Sequence, residues 1–435
     1  MQYFSLNNNT KEVGFEKAVR SGLAPDRGLY YPRQINKLTD SFWDNFLSMN
    51  EHEIAFSCIA QFVGNEIPEK ELQKIVEDTL TFPFPIVELN KNLATLELFH
   101  GPTMAFKDVG GRFMARCMEY FNRTTTEKVT VLVATSGDTG GAVASGFLGV
   151  PGVEVIILYP KGKVSHIQEL QLTTQGHNIT ALEIDGVFDD CQEMVKTAFL
   201  DKTLKPHRNL TSANSINVAR WLPQSFYYFF GVQELMKRKV NKPFVFSVPS
   251  GNFGNICAGF IARELGLPIS HFIASTNQND TFPRYMENGI FEPKPSVQTI
   301  SNAMDVGNPS NFDRISKLFN QDLYRLKNIC SSYRFSDKET HKAMQDLYEK
   351  YNYIADPHGA IGYLGLQKYC EENPDIYGVF LETAHPVKFL DVVEKAIKTK
   401  VNIPPQIDEI LDRTPEKTSI SSYLELKDFL IDNAV

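Results

Sequence analysis

Val131-Leu132-Val133-Ala134-Thr135-Ser136-Gly137-Asp138-Thr139-Gly140-Gly141-Ala142 is an apolar, β-favouring run that breaks into a polar, glycine-rich loop and resumes as small residues suited to a helix. The same design recurs at Phe244-Val245-Phe246-Ser247-Val248-Pro249-Ser250-Gly251-Asn252-Phe253-Gly254-Asn255. In open α/β sheets, ligands collect at such strand ends, where helix N-termini offer unpaired N–H groups and the positive end of a dipole. Both loops therefore read as anion cradles.

Outward from these junctions, the sequence alternates short β-rich runs with amphipathic stretches. Strands are expected over 129–134, 153–158, 178–184, 243–248, 269–274 and 377–381, and helices over 109–121, 189–199 and 218–236. In the first helix Val109, Phe113, Cys117 and Phe121 recur every four residues and share one face. The alternation predicts an α/β fold of mainly parallel strands joined by crossover helices. Before it, residues up to about 80 show helical apolar spacing over 15–19 and 46–62, and Phe82-Pro83-Phe84-Pro85 marks a domain entrance. Residues 277–350 alternate less regularly, and no repeat or low-complexity tract is present.

The composition removes whole classes. The chain has 435 residues with 42% hydrophobic and 22% charged, which suits a globular protein with a large core rather than a disordered or fibrous one. With 52 acidic against 44 basic residues the net charge is −8, so no global basic field attracts nucleic acid. The six cysteines, at 58, 117, 191, 257, 330 and 370, form no CxxC pair and read as reduced thiols. The N-terminus lacks a basic and apolar leader, and no apolar run approaches the roughly 18 residues of a membrane span. A cytoplasmic protein with no membrane partner is expected.

Motif spacing narrows the chemistry. The glycines Gly137, Gly140 and Gly141 and the following strand end at Tyr159-Pro160-Lys161 depart from a dinucleotide fingerprint, which needs G-x-G-x-x-G and an acid. No P-loop, HExxH or Gly-x-Ser-x-Gly sequence occurs, so nucleotide hydrolysis, a catalytic metal and a serine nucleophile lack support. In the second loop Gly251 and Gly254 allow close backbone approach to a phosphate, with Ser250, Asn252 and Asn255 as donors; the alternative is a turn needing positive φ. In the first loop, Asp138 either caps the helix or touches a ligand. Lys107 stands near a helix N-terminus, where the dipole disfavours a cation. It is either solvated and incidental, as position alone favours, or kept because its chemistry needs an uncharged amine.

These residues together resemble a known family. Leu96-Glu97-Leu98-Phe99-His100-Gly101-Pro102-Thr103-Met104-Ala105-Phe106-Lys107-Asp108 is similar to the lysine motif of the threonine synthase family, bacterial and fungal type, within the fold type II pyridoxal-phosphate enzymes. Residues 134–140, 250–255 and Glu382-Thr383-Ala384-His385-Pro386 resemble its substrate loop, cofactor-phosphate loop and final strand end. Residues 15–32, with Gly28-Leu29-Tyr30-Tyr31-Pro32, look like its extra N-terminal domain. The resemblance covers nearly the whole chain.

It implies a two-lobed fold: an N-terminal, mainly helical domain over 1–80 and a catalytic region over 81–435, with a smaller lobe over 110–230 and a larger one over 81–109 and 231–435. It implies that Lys107 carries pyridoxal 5'-phosphate, reversing the incidental reading, and that Gly251, Asn252, Phe253, Gly254 and Asn255 hold the cofactor phosphate. Thr383 would face the pyridine nitrogen, where a hydroxyl stabilises a protonated ring less than an aspartate does. Ser136, Gly137, Asp138, Thr139 and Gly140 would line the substrate pocket. Asn214, Ser215 and Arg220 would bind the leaving phosphate, for which an arginine offers a bidentate clamp; the alternative for Arg220 is a solvated surface charge. Lys161 and Lys163 are weaker candidates. No metal is implied.

The implied reaction is conversion of O-phospho-L-homoserine and water to L-threonine and phosphate by a lyase of threonine biosynthesis, with a monomer favoured over a dimer. Within the same cofactor class the alternative is a serine/threonine dehydratase or β-replacement enzyme. The dehydratases usually show Ser-Phe-Lys where Ala105-Phe106-Lys107-Asp108 stands here. An NAD- or nucleotide-binding protein is the alternative of another class.

Overall fold

The computed structural model describes residues 1–125 and 127–432. Residues 126 and 433–435, which fall within the expected lobe ranges, lie outside the described residues. Two sheets organise the molecule. The larger runs Cys330–Arg334, Ile269–Thr276, Phe244–Pro249, Tyr377–Glu382, Leu93–Glu97, Ile86–Asn90; all pairs are parallel except the last. The smaller runs Thr418–Ile420, Ile179–Ile184, Val153–Pro160, Val129–Ala134, Leu210–Thr211, parallel throughout. Val129–Ala134, Phe244–Pro249 and Tyr377–Glu382 are buried along their whole length, as strands covered on both faces must be. Their sequences accordingly read as continuous apolar runs.

Local chemistry sets the element ends. The apolar spacing over 46–62 becomes a helix only at Glu51–Val63, because Asn50 and Glu53 form a reciprocal capping box; Asp40–Asn45 forms a separate short helix. The stretch expected as one helix over 218–236 is three pieces, Val218–Trp221, a 3₁₀ turn Leu222–Ser225 and Phe226–Lys237. Pro223 lacks the N–H that a continuous helix would use.

The N-terminal segment adds the antiparallel pair Tyr3–Ser5 and Tyr30–Pro32 and the helices Phe15–Ser21 and Glu69–Thr79. Its Phe15, Val19, Ile59 and Phe62 share one apolar cluster with Phe113, Phe121 and Trp221. Arg314 is a second tie: the buried guanidinium donates to the carbonyls of Tyr30, Ser215 and Ile216 and stacks 4.2 Å from the Trp221 ring centroid.

One lobe boundary differs from the expectation that 231–435 belongs wholly to the larger lobe. Thr418–Ile420 adds an edge strand beside Ile179–Ile184, and Leu426 and Leu430 of helix Tyr423–Asp432 are buried in one cluster with Ile184 and Cys191. Lys417 fixes this return by reaching Glu169 at 2.6 Å and Glu183 at 2.7 Å. Among the described residues no helix is long and apolar enough to cross a membrane, and the six cysteines are free, five of them buried.

Helix Lys107–Asn122 packs directly on helix Asp138–Phe147, with glycines at the crossing. A Cβ on Gly111 would stand 2.6 Å from the Ala142 carbonyl oxygen, a backbone atom that cannot swing aside. Gly111→Val is expected to destabilise the fold by about 1–3 kcal/mol, the range for overpacking a close interface, read as a lower midpoint in chemical denaturation.

Candidate active site

The carboxyl ends of both sheets open on one cleft with about 950 Å³ of space free of protein atoms, counted out to solvent. It brings together Lys107, Ser136, Asp138, Thr139, Asn214, Ser215, Arg220, Gly251, Asn252, Phe253, Gly254, Asn255 and Thr383. Two expected pocket residues stand behind it. Gly137 and Gly140 donate their backbone N–H groups to Thr135 Oγ1 at 2.9 and 2.8 Å, so they shape the loop without lining the cleft. Lys161 is largely exposed and 3.8 Å from Glu183, and neither it nor Lys163 lines the cleft.

Lys107 is the first residue of its helix, and the loop before it is stitched in place. Phe106 N–H donates to the Thr383 carbonyl at 2.9 Å, which sets the lysine beside the end of strand Tyr377–Glu382. Buried Asp108 accepts from the N–H and hydroxyl of Thr103 at 2.9 and 2.6 Å. The Lys107 amine has no hydrogen bond or ion pair among the described residues. Burial pushes its pKa down to about 8; the charges of Lys388 and Arg220 act in the same direction, and Asp138 opposes them. The amine thus loses its proton more readily than an ordinary lysine, whose pKa is near 10.5.

Asp138 is not a helix cap: the cap position is Gly137, at φ 131°, and no side chain caps the turn. Its buried carboxylate pairs with Lys388 Nζ at 2.7 Å and accepts from Gln168 Nε2 at 3.0 Å. Burial alone would raise its pKa, but the Lys388 and Lys107 charges outweigh burial and hold it well below the usual carboxylate range. Lys388 also donates to the Thr103 carbonyl at 2.9 Å.

The second glycine loop opens helix Gly254–Glu264, whose first N–H groups have no side-chain cap. Positive φ falls on Phe253, at 61°, rather than on Gly251 or Gly254. Gly251 serves close approach instead, since a Cβ there would stand 2.6 Å from Met304 Cα. The Asn252 amide donates to Ser215 Oγ at 2.8 Å while its oxygen accepts from Ser310, so its side chain braces the loop. Tyr227 and Tyr228 both donate to Asn255 Oδ1 at 2.7 Å, and buried Asn255 Nδ2 is left without a partner.

Arg220 is 2% exposed, which overturns the reading of a solvated charge. Its Nη1 donates to the Ala213 carbonyl and its Nε has no partner. No carboxylate pairs with it among the described residues; burial pushes its pKa down to about 10, opposed only by the distant pull of Asp108. A buried cation of this kind awaits an anion.

Sequence reasoning missed Lys388 and His358. His358 lines the cleft with Nδ1 2.6 Å from Asp356 Oδ2. The Asp356-Pro357 pair was a usable signal, because Asp at the cap and Pro at the first turn start a helix and place His358 at its mouth. For Lys388, on a 3₁₀ turn, no pattern distinguishes a buried lysine from a surface one.

Residues 80–377 match the family described as pyridoxal-phosphate dependent enzyme. With its two sheets and shared cleft, the molecule is a fold type II member of that class. Residues 2–80 and 359–429 match the N-terminal and C-terminal models of threonine synthase. The threonine synthase of Buchnera aphidicola from Acyrthosiphon pisum is 43% identical, covering 99% of this chain and 100% of its own. The crystal structure of the Escherichia coli threonine synthase superposes with a TM-score of 0.93 at 40% identity, covering 99% of this chain and 100% of that one. The pyridoxal-phosphate-bound threonine synthase of Brucella melitensis superposes at 0.91 with 34% identity, covering 100% and 99%. The chain belongs to the threonine synthase family.

The cofactor of the class is pyridoxal phosphate, and the residues present fit it. An uncapped helix N-terminus behind a close-packed glycine suits its phosphate, the orphaned Asn255 amide offers a further donor, and an unpaired amine of lowered pKa suits its aldehyde. In the cofactor-free protein, trapping of Lys107 by a small aldehyde and borohydride is expected to rise with pH, reach half its maximum near pH 8 and level off above about pH 9. An ordinary lysine would still be gaining reactivity towards pH 10; peptide mass spectrometry across the pH series checks this.

Proposed function

We propose that this chain converts O-phospho-L-homoserine and water to L-threonine and phosphate, with pyridoxal phosphate carried on Lys107. The single observation that carries the reading beyond its cofactor class is Arg220: a buried guanidinium without a counter-ion, in the same cleft as the unpaired Lys107 amine. A substrate bearing its own phosphate gives that cation a partner; serine or threonine would not.

Each residue has a part in this reading. The N–H groups at the start of Gly254–Glu264, with Asn255, hold the cofactor phosphate, and Asn252 braces that loop against Ser215. Thr383 faces the ring nitrogen. Arg220, Asn214 and Ser215 hold the substrate phosphate, and Ser136 and Thr139 the substrate carboxylate; Asp138, already paired with Lys388, orders the floor between them. The bound cofactor supplies an electron sink for the carbons next to the amine. Lys107, freed when the substrate amine takes its place, moves protons at the α and β carbons, and a pKa near 8 lets it both accept and return them. The two lobes and the N-terminal domain act as a monomer in the cytoplasm on a small-molecule substrate, without nucleic acid or membrane.

Purified protein is expected to release phosphate and form threonine from phosphohomoserine, with no comparable deamination of serine or threonine. Lys107→Ala is expected to be colourless and inactive. Arg220→Ala is expected to keep its visible cofactor absorbance while kcat/KM falls roughly tenfold to 150-fold, the equivalent of losing a charge-assisted contact of about 1.5–3 kcal/mol. Equal loss of cofactor and turnover would place Arg220 at the other phosphate.

A further inference from the structure

His358 is a buried acid–base side chain in the cleft, and the roles given to Lys107 and the two phosphate sites leave it without a task. It is 2% exposed and lies in the first turn of helix Pro357–Glu372. Asp356 caps that helix with one carboxylate oxygen, 2.6 Å from the Gly359 N–H, and holds His358 Nδ1 with the other at 2.6 Å. The ring packs 4.9 Å from Phe389, the residue lines the cleft, and its buried Nε2 has no hydrogen-bond partner.

The charged groups around it come from four elements. Glu382, at the end of strand Tyr377–Glu382, accepts from the Asp356 N–H; burial and the Asp356 charge push its pKa well above the ordinary range. Asp305, beside the turn Asn302–Met304, is pushed up to about 6 by burial; Asp138 acts on the ring from the smaller lobe and its partner Lys388 lies on the turn Pro386–Phe389 of the larger one. The short bond from His358 Nδ1 to the Asp356 carboxyl oxygen, whose other oxygen already accepts from the Gly359 N–H, favours the proton on Nδ1 and leaves Nε2 as the reactive nitrogen.

The inference rests on the reaction just proposed, whose proton count defines a task. The hydrogen lost from the β carbon reappears on the γ carbon, and the water oxygen with one hydrogen stays on the β carbon. The remaining water proton ends on phosphate, which leaves with the electron pair of the broken γ-carbon–oxygen bond. We propose that His358 carries this proton: after phosphate has left with the electron pair of the broken bond, the bare Nε2 takes a proton from water as the water oxygen bonds to the β carbon, and then gives that proton to the released phosphate. The net result is transfer of one proton from water to phosphate, with His358 restored. Asp356 is its positioning residue.

The test uses the holoenzyme and His358→Gln, whose amide can hydrogen-bond into the cleft but cannot relay a proton. The expected result is a fall in kcat of about 100-fold or more, the usual loss of an acid–base group. KM should change by less than about threefold and the pH–rate profile should lose one limb, while cofactor absorbance and borohydride trapping at Lys107 stay unchanged. An independent readout needs no turnover: in the cofactor-free protein, long-range ¹H–¹⁵N correlation should show the His358 proton on Nδ1 and a bare Nε2, with the preference lost in Asp356→Asn. The proposal is overturned by an unchanged kcat, by a change in KM alone, by loss of cofactor loading in His358→Gln, or by a proton resident on Nε2. If the wild-type holoenzyme forms no threonine, the proposed reaction fails first and the proton relay with it; if it does and His358→Gln matches it, only the relay fails.

Discussion

The buried ion pair between Asp138 and Lys388, 2.7 Å apart, sets the electrostatics of the cleft. Asp138 begins a helix of the smaller lobe, where the dipole favours a negative charge, and Lys388 comes from the turn after the central strand of the larger sheet. Removing two charges from water is costly, and breaking such a pair leaves one of them uncompensated, so each holds the other in place. The consequence reaches Lys107. An unpaired Asp138 would stabilise the Lys107 ammonium and repel an incoming anion; paired with Lys388, it leaves burial to dominate and the amine near pKa 8. Lys388 also bonds the Thr103 carbonyl, so the pair anchors the loop that leads to the lysine.

The cleft walls are stitched by the same kind of bond, always between segments far apart in sequence. Asn252 joins the second glycine loop to Ser215, Asn311 bonds both Ser215 and the Asn252 carbonyl, and Arg314 fixes Ser215 and Ile216 to Tyr30 of the N-terminal segment. Across the mouth, Asn302 of the larger lobe reaches Gln168 of the smaller at 3.3 Å, and Gln168 in turn holds Asp138. The N-terminal segment is therefore tied mechanically to the 214–220 wall without itself lining the cleft.

The sequence made much of this legible, and the limits have physical causes. Val129–Ala134, Phe244–Pro249 and Tyr377–Glu382 were readable because strands covered on both faces need unbroken apolar runs. Cys330–Arg334 and the edge hairpin of Ile86–Asn90 with Leu93–Glu97 were not read, since their half-buried positions carry Ser, Arg, Glu and Asn. The short return strand Thr418–Ile420 is mostly exposed and is held by Lys417, a bond that no periodicity encodes. Within the site, the loops announced themselves through glycine, but which glycines touch the cleft did not follow: Gly251 and Gly254 line it, while Gly137 and Gly140 serve Thr135 behind it. Arg220 owes its burial to Gly110, where any Cβ would collide with the Arg220 backbone.

That burial also explains why Arg220 sits where stability alone would not put it. The residue forgoes hydration and receives one carbonyl bond and no counter-charge, and its Nε bonds nothing. Replacing such a group by an apolar one of similar volume usually costs little or even stabilises a fold. A cation kept under these conditions stores unfavourable free energy that only an arriving anion releases. The release is greatest for a doubly charged group seated in a water-poor cleft, because the low local dielectric that makes the empty cation costly is what strengthens the filled pair. Affinity for an anion and local instability at this position are thus two expressions of the same electrostatic term, and the second glycine loop, which offers backbone dipoles rather than a buried charge, carries no comparable cost.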